Sequence, residues 1–86
     1  MNEKIRAVVF EAIDEVFKPK NNGRLLSVLA HPDFEFKELS DSSLSFVEFC
    51  MRVEEGLNIE IEFIDFMEHP TLQKFLGWLE QQDVNL

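Results

Sequence analysis

Apolar residues recur along the chain at helical spacing, interrupted by short runs of turn formers. Residues 3–18 carry Ile5, Val8, Val9, Ala12, Ile13, Val16 and Phe17, in steps of 3, 1, 3, 1, 3 and 1. That spacing keeps them on one side of a helix and predicts an amphipathic element with a buried stripe. Asn2 is placed to cap it, Glu3 suits the positive end of its dipole, and Pro19 with Asn21-Asn22-Gly23 supplies the stop. A second helix is predicted from Ser43 to Leu57, ended by Gly56 or Asn58. A short one is expected around Phe63–Glu68. After the break at Pro70, Thr71 opens a last helix to about Gln82 with the stripe Leu72, Phe75, Leu76, Trp78 and Leu79. Ile59 and Ile61 alternate with Glu60 and Glu62 as in a strand. No second alternating run exists to pair with it, so an extended connection is expected there.

Residues 19–42 form the least regular part. Structureless loops beyond about 12–15 residues are uncommon in small domains unless they have a role. "RLLSVL" at 24–29 has material for a turn or two of helix, and Phe34, Phe36 and Leu39 are spaced to pin the segment to the core. Pro32 stops regular structure from running through. The expected fold is all-α: one domain over 1–86, a small right-handed bundle of three main helices and one short helix, with a long first loop.

The helix predicted at 43–57 carries two stripes. Phe46, Phe49, Cys50, Val53 and Leu57, spaced 3, 1, 3 and 4, are assigned to the core. Leu44, Val47, Glu48, Met51, Glu54 and Glu55 lie on an offset face that mixes apolar side chains with carboxylates. Two readings fit: scattered surface apolars with solubilising acids, or a strip that docks on a basic protein surface.

Charge narrows the partners. With 17 acidic and 8 basic side chains in 86 residues, the net charge is -9. A phosphate backbone or anionic membrane calls for a basic face, so neither is an expected partner. The 45% hydrophobic content, with nine Phe, is enough for a packed core. The single cysteine, Cys50, forms no internal disulfide and lies in the core stripe, where a thiol behaves as an inert hydrophobe. His31 and His69 lack any zinc spacing, and the acids at Asp33, Glu35, Glu38 and Asp41 lack the glycine and closing glutamate of a calcium loop. No catalytic constellation is present, so no catalytic residue and no metal ligand is assigned. No run reaches the ~20 apolar residues of a membrane span, and Glu11, Asp14 and Glu15 interrupt any secretion signal. A cytoplasmic monomer is expected.

Ser43 opens the second helix. As a helix cap it competes with Ser42, Asp41 and Ser40, and spacing alone does not choose among them. The stretch "SDSSLSFVEFCMRVEEGLNIEIEFIDFMEHPTLQKFLGWLEQQ" resembles the acyl and peptidyl carrier proteins. Ser43-Leu44 matches the family's Ser-Leu, Val47-Glu48-Phe49 its helix, Glu54-Glu55 its acidic pair, and Pro70-Thr71-Leu72 the opening of its last helix. Ser42 stands where the family usually has Asp, and Asp41 lies one place earlier.

The resemblance implies that Ser43 is the attachment point of a 4'-phosphopantetheine arm, added from coenzyme A by a phosphopantetheinyl transferase, with Asp41 as a candidate aid to that modification. The arm's thiol would carry an acyl, aminoacyl or peptidyl group as a thioester. Leu44, Val47, Glu48, Met51, Glu54 and Glu55 would then dock the enzymes that load the carrier and the synthases or transferases that use it. On this reading the chain is a stand-alone carrier in fatty acid, polyketide or nonribosomal-type biosynthesis, with no activity of its own. The rival reading is an acidic helical interaction module, or a degenerate carrier, without the prosthetic group.

Overall fold

A computed structural model describes residues 3–21, 30–31 and 33–82, with side chains only up to Phe17 in the first of these stretches. Four α-helices appear among them: α1 (Glu3–Asn21), α2 (Ser43–Leu57), α3 (Phe63–Met67) and α4 (Leu72–Glu80). A 3-10 turn at Phe36–Glu38 precedes α2. The chain is the all-helical bundle its periodicity predicts, with no strand among the described residues.

Element ends differ in detail. α1 continues to Asn21, so Pro19 lies inside its last turn. A proline there forfeits one amide bond, and the residues after it still bond backwards, so the helix survives it at a terminus better than in its middle. Asn22 and Gly23, also expected to end the helix, lie outside the described residues. α2 spans Ser43–Leu57 as expected, and Asn58, not Gly56, turns the chain out. Asn58 adopts the left-handed conformation (φ 55°, ψ 48°), and its amide donates to the Glu54 carbonyl. α3 and α4 each stop short, at Met67 and Glu80. The possible turn at 24–29 lies outside the described residues.

The predicted stripes are the core. Ile5, Val9, Ala12, Ile13, Val16 and Phe17 of α1 are buried against Phe49, Cys50, Val53 and Leu57 of α2 and Leu72, Phe75, Leu76 and Leu79 of α4. The 59–62 segment is extended, with Ile61 buried, Ile59 half-buried and both glutamates exposed. The alternation therefore marks inside and outside without any strand pairing.

The segment before α2 is built into the bundle. Phe34, Phe36 and Leu39 are buried as expected. The Phe36 ring meets those of Phe34, Phe49, Phe66 and Phe75 at centroid distances of 5.7, 5.5, 4.9 and 5.5 Å. Backbone bonds tie the same segment to the start of α4: the Phe36 amide donates to the Pro70 carbonyl at 2.9 Å, and the Leu72 amide to the Phe34 carbonyl at 3.0 Å. The Asp33 carboxylate accepts from the Gln73 amide at 2.8 Å, and Thr71 Oγ1 from the Lys74 amide at 3.4 Å. The first three amides of α4 are thus satisfied, two of them by a stretch some forty residues away in sequence.

Gly56 serves packing. A Cβ placed there would lie 2.5 Å from Val8 Cγ1 and 3.1 Å from Cγ2. α1 and α2 can approach this closely only because that side chain is missing. Arg52 of α2 and Glu15 of α1 form an ion pair across the same seam.

Candidate functional site

Ser43 is the first residue of α2, and the N-cap position belongs to Ser42. The Ser42 side chain makes no capping bond, and its backbone amide donates to Ser40 Oγ at 3.0 Å. The Ser43 residue is exposed, and its hydroxyl bonds to no described residue. Capping therefore does not account for it. The amides of Ser43 and Leu44 likewise have no partner among the described residues, whereas that of Ser45 donates to the Ser42 carbonyl at 3.2 Å. Ser45 itself is sealed in the bundle at 1% exposure. An outward hydroxyl at a helix start with open amides beside it suits an esterified phosphate: the amides and the helix dipole favour the anion. The residues present fit such a group.

The two stripes of α2 separate as their spacing requires. Phe49, Cys50, Val53 and Leu57 are buried and Phe46 is half-buried. On the other side Leu44, Val47 and Met51 are exposed at 79%, 39% and 53%, beside exposed Glu48 and Glu55. Glu54 departs from its companions. It is half-buried, and its carboxylate accepts the Ile61 amide at 2.8 Å, fastening the 59–62 connection to α2. Asp41 is exposed and lines the same groove as Ser43.

Two further exposed apolar side chains, Ile64 (55%) and Met67 (58%) on α3, did not emerge from the sequence reading. The signal was available. Phe63 and Phe66 form one i, i+3 pair and Ile64 and Met67 another, so a helix that buries the first pair presents the second.

Cys50 is buried, and its thiol is pushed up to about 12, first by burial and then by the neighbouring Glu54 carboxylate. At neutral pH it is a protonated, shielded thiol. His69 is half-buried, with Nδ1 2.7 Å from the Asp65 carbonyl and its ring 5.5 Å from that of Trp78, so it packs α3 onto α4. No group of three or more His, Cys, Asp and Glu among the described residues could hold a metal ion. No described helix is long and apolar enough to cross a membrane.

Searches of curated proteins and of solved structures returned no match. A family model for the phosphopantetheine attachment site does match, over residues 24–79, with Ser43 inside the matched stretch. The match covers more than half of the chain and takes in α2, α3 and nearly all of α4. The chain therefore belongs to the phosphopantetheine-attachment family, the acyl and peptidyl carrier proteins, whose members bear a covalent 4'-phosphopantetheine and act as carriers, not catalysts.

Proposed function

We propose that Ser43 is the residue modified in this chain and that the protein carries an acyl or aminoacyl group for other enzymes. The observation that carries the proposal is the free, outward Ser43 hydroxyl at the start of α2. Among its neighbours, Ser45 is buried and Ser40 Oγ is engaged by the Ser42 amide. When attached, the arm supplies a thiol that holds its cargo as a thioester. The chain's part is to present the ester oxygen and to accommodate the phosphate at the open amides of Ser43 and Leu44. Asp41, exposed two residues earlier, is our candidate for assisting the transferase in place of the usual acid at position 42.

The exposed strip of Leu44, Val47 and Met51, rimmed by Glu48 and Glu55, is the surface we assign to docking, with basic partners selected by charge. Those partners are a phosphopantetheinyl transferase, a loading enzyme and a downstream synthase or transferase. Glu54 serves the fold through Ile61 and is secondary in this role. A docked partner receives the tethered cargo at high effective concentration, which is what tethering contributes.

Intact mass decides the assignment. Incubated with coenzyme A and a promiscuous transferase, the wild-type chain gains the mass of one arm, and Ser43→Ala gains nothing. An arm added to Ser43→Ala moves the site to another serine. A wild type that stays at its starting mass with several transferases supports the interaction-module reading and sinks this one.

A further inference from the structure

α1 and α2 run antiparallel along their shared seam: Val8 faces Gly56 at one level, and Glu15 meets Arg52 at another. A cleft of about 320 Å³ lies along that seam, at the lower end for a small-ligand site and suited to one long side chain. Its apolar part is half-buried Val8, buried Ala12 and the bare backbone of Gly56. Glu11 of α1 and Glu55 of α2 line it from opposite helices, and both are exposed. Positions 52–56 lie about 14–20 Å along α2 from Ser43, at a rise of about 1.5 Å per residue. The cleft is therefore separate from the surface around that serine.

Its charges do not balance internally. The lining holds three carboxylates and two cations, Lys4 and Arg52. Glu15 is taken by Arg52. Glu11 and Glu55 make no hydrogen bond or ion pair with any described residue, so neither cation of the lining pairs with them. Two like charges across one cleft repel, and a cation between them relieves the repulsion. An apolar strip beside two carboxylates favours a cation on a long apolar stem. A guanidinium is planar, more weakly hydrated than an ammonium, and carries five donors in a fork that reaches two carboxylates at once. The seam already holds one contact of this kind, since Arg52 reaches from α2 to Glu15 on α1. The net charge of -9 draws basic proteins toward the chain.

We propose that this cleft receives an arginine side chain of a basic partner protein. The stem lies on Val8, Ala12 and Gly56, and the guanidinium bridges Glu11 and Glu55. A partner that uses it touches α1 as well as α2, and the contact is available with or without a group on Ser43. The inference does not rest on attachment at Ser43.

The test is a magnetic-resonance titration of the isotope-labelled chain with N-acetyl-arginine amide, compared with N-acetyl-lysine amide at equal ionic strength. With the arginine compound, the amides of Val8, Glu11, Ala12, Glu55 and Gly56 shift together and saturate, at the weak affinity of a single side chain. Glu11→Gln and Glu55→Gln each weaken that affinity severalfold, whereas Glu60→Gln, on the exposed connection, leaves it unchanged. Spectra of the free variants that superimpose on wild type away from the substitution show that the fold is kept. Equal shifts with the lysine compound overturn the arginine assignment. Shifts spread over Glu60, Glu62 and Glu68 without saturation overturn the cleft, because they report charge attraction alone. Modification of Ser43 is read separately by mass, so failure of either idea leaves the other standing.

Discussion

At Gly56 a missing side chain sets how near two helices come. Glycine in a helix costs about 1 kcal/mol relative to alanine, so replacement should help by propensity alone. Here the added methyl meets Val8 Cγ1 at 2.5 Å, and overpacking of this kind costs about 1–3 kcal/mol. Gly56→Ala is therefore expected to lower stability in urea unfolding, and Val8→Ala in the same chain should recover part of the loss. Additive losses in the two single variants and the double variant would show that the residues do not touch. Cys50 offers a second check. Its thiol ionises at about 12 in the fold and near its ordinary 9.0 when unfolded. Above pH 9 the unfolded chain gives up this proton and the folded chain keeps it, so the contribution falls by up to about 1.4 kcal/mol per pH unit until the folded thiol also ionises. Cys50→Ala should lose less stability than wild type between pH 9 and 12, and below pH 8 the difference between the two should not vary with pH. Ser43 was legible as a motif residue, and its freedom from capping was not, because four adjacent candidates fit one cap. The bond that Glu54 makes was not legible for a different reason: its partner is a backbone amide seven residues on, and no spacing rule points there.

Among the elements, α2 was the most readable, since two offset stripes and the Asn58 turn fix its rotation and its end together. The segment before it was half readable. Burial of Phe34, Phe36 and Leu39 follows from their spacing, but the central place of Phe36 depends on rings at 49, 66 and 75 that only the tertiary fold brings near. Phe36→Ala should cost about 3–5 kcal/mol, a large share of the stability of so small a domain, read as a drop in urea midpoint. The capping of α4 is a tertiary fact of the same kind. Asp33 holds the Gln73 amide at 2.8 Å, whereas Thr71 holds that of Lys74 at a long 3.4 Å. Asp33→Ala is expected to lose about 1 kcal/mol and Thr71→Ala less, reversing the order that sequence distance suggests.

For the whole molecule, charge is the governing quantity. A net charge of -9 sets up a field that draws basic partners and repels other copies of the chain. Glu48→Lys, on the exposed rim of α2, should slow loading by a basic partner severalfold at low salt. The deficit should shrink as the screening length falls from about 10 Å at 0.1 M to 3 Å at 1 M. A deficit independent of salt would place the effect in contact geometry instead of steering. Val53→Ala, on the opposite stripe, should cost about 2 kcal/mol of stability and leave the salt dependence of loading as it is.

Phe36 and Phe66 belong to two structures at once, the aromatic cluster of the interior and the lining of the groove beside Ser43. Selection therefore has little room to alter one without disturbing the other. Lineages of this chain that diverge in what they transport should keep both rings and drift at the rim, where the exposed Lys37 and Met67 can be exchanged without loosening the interior.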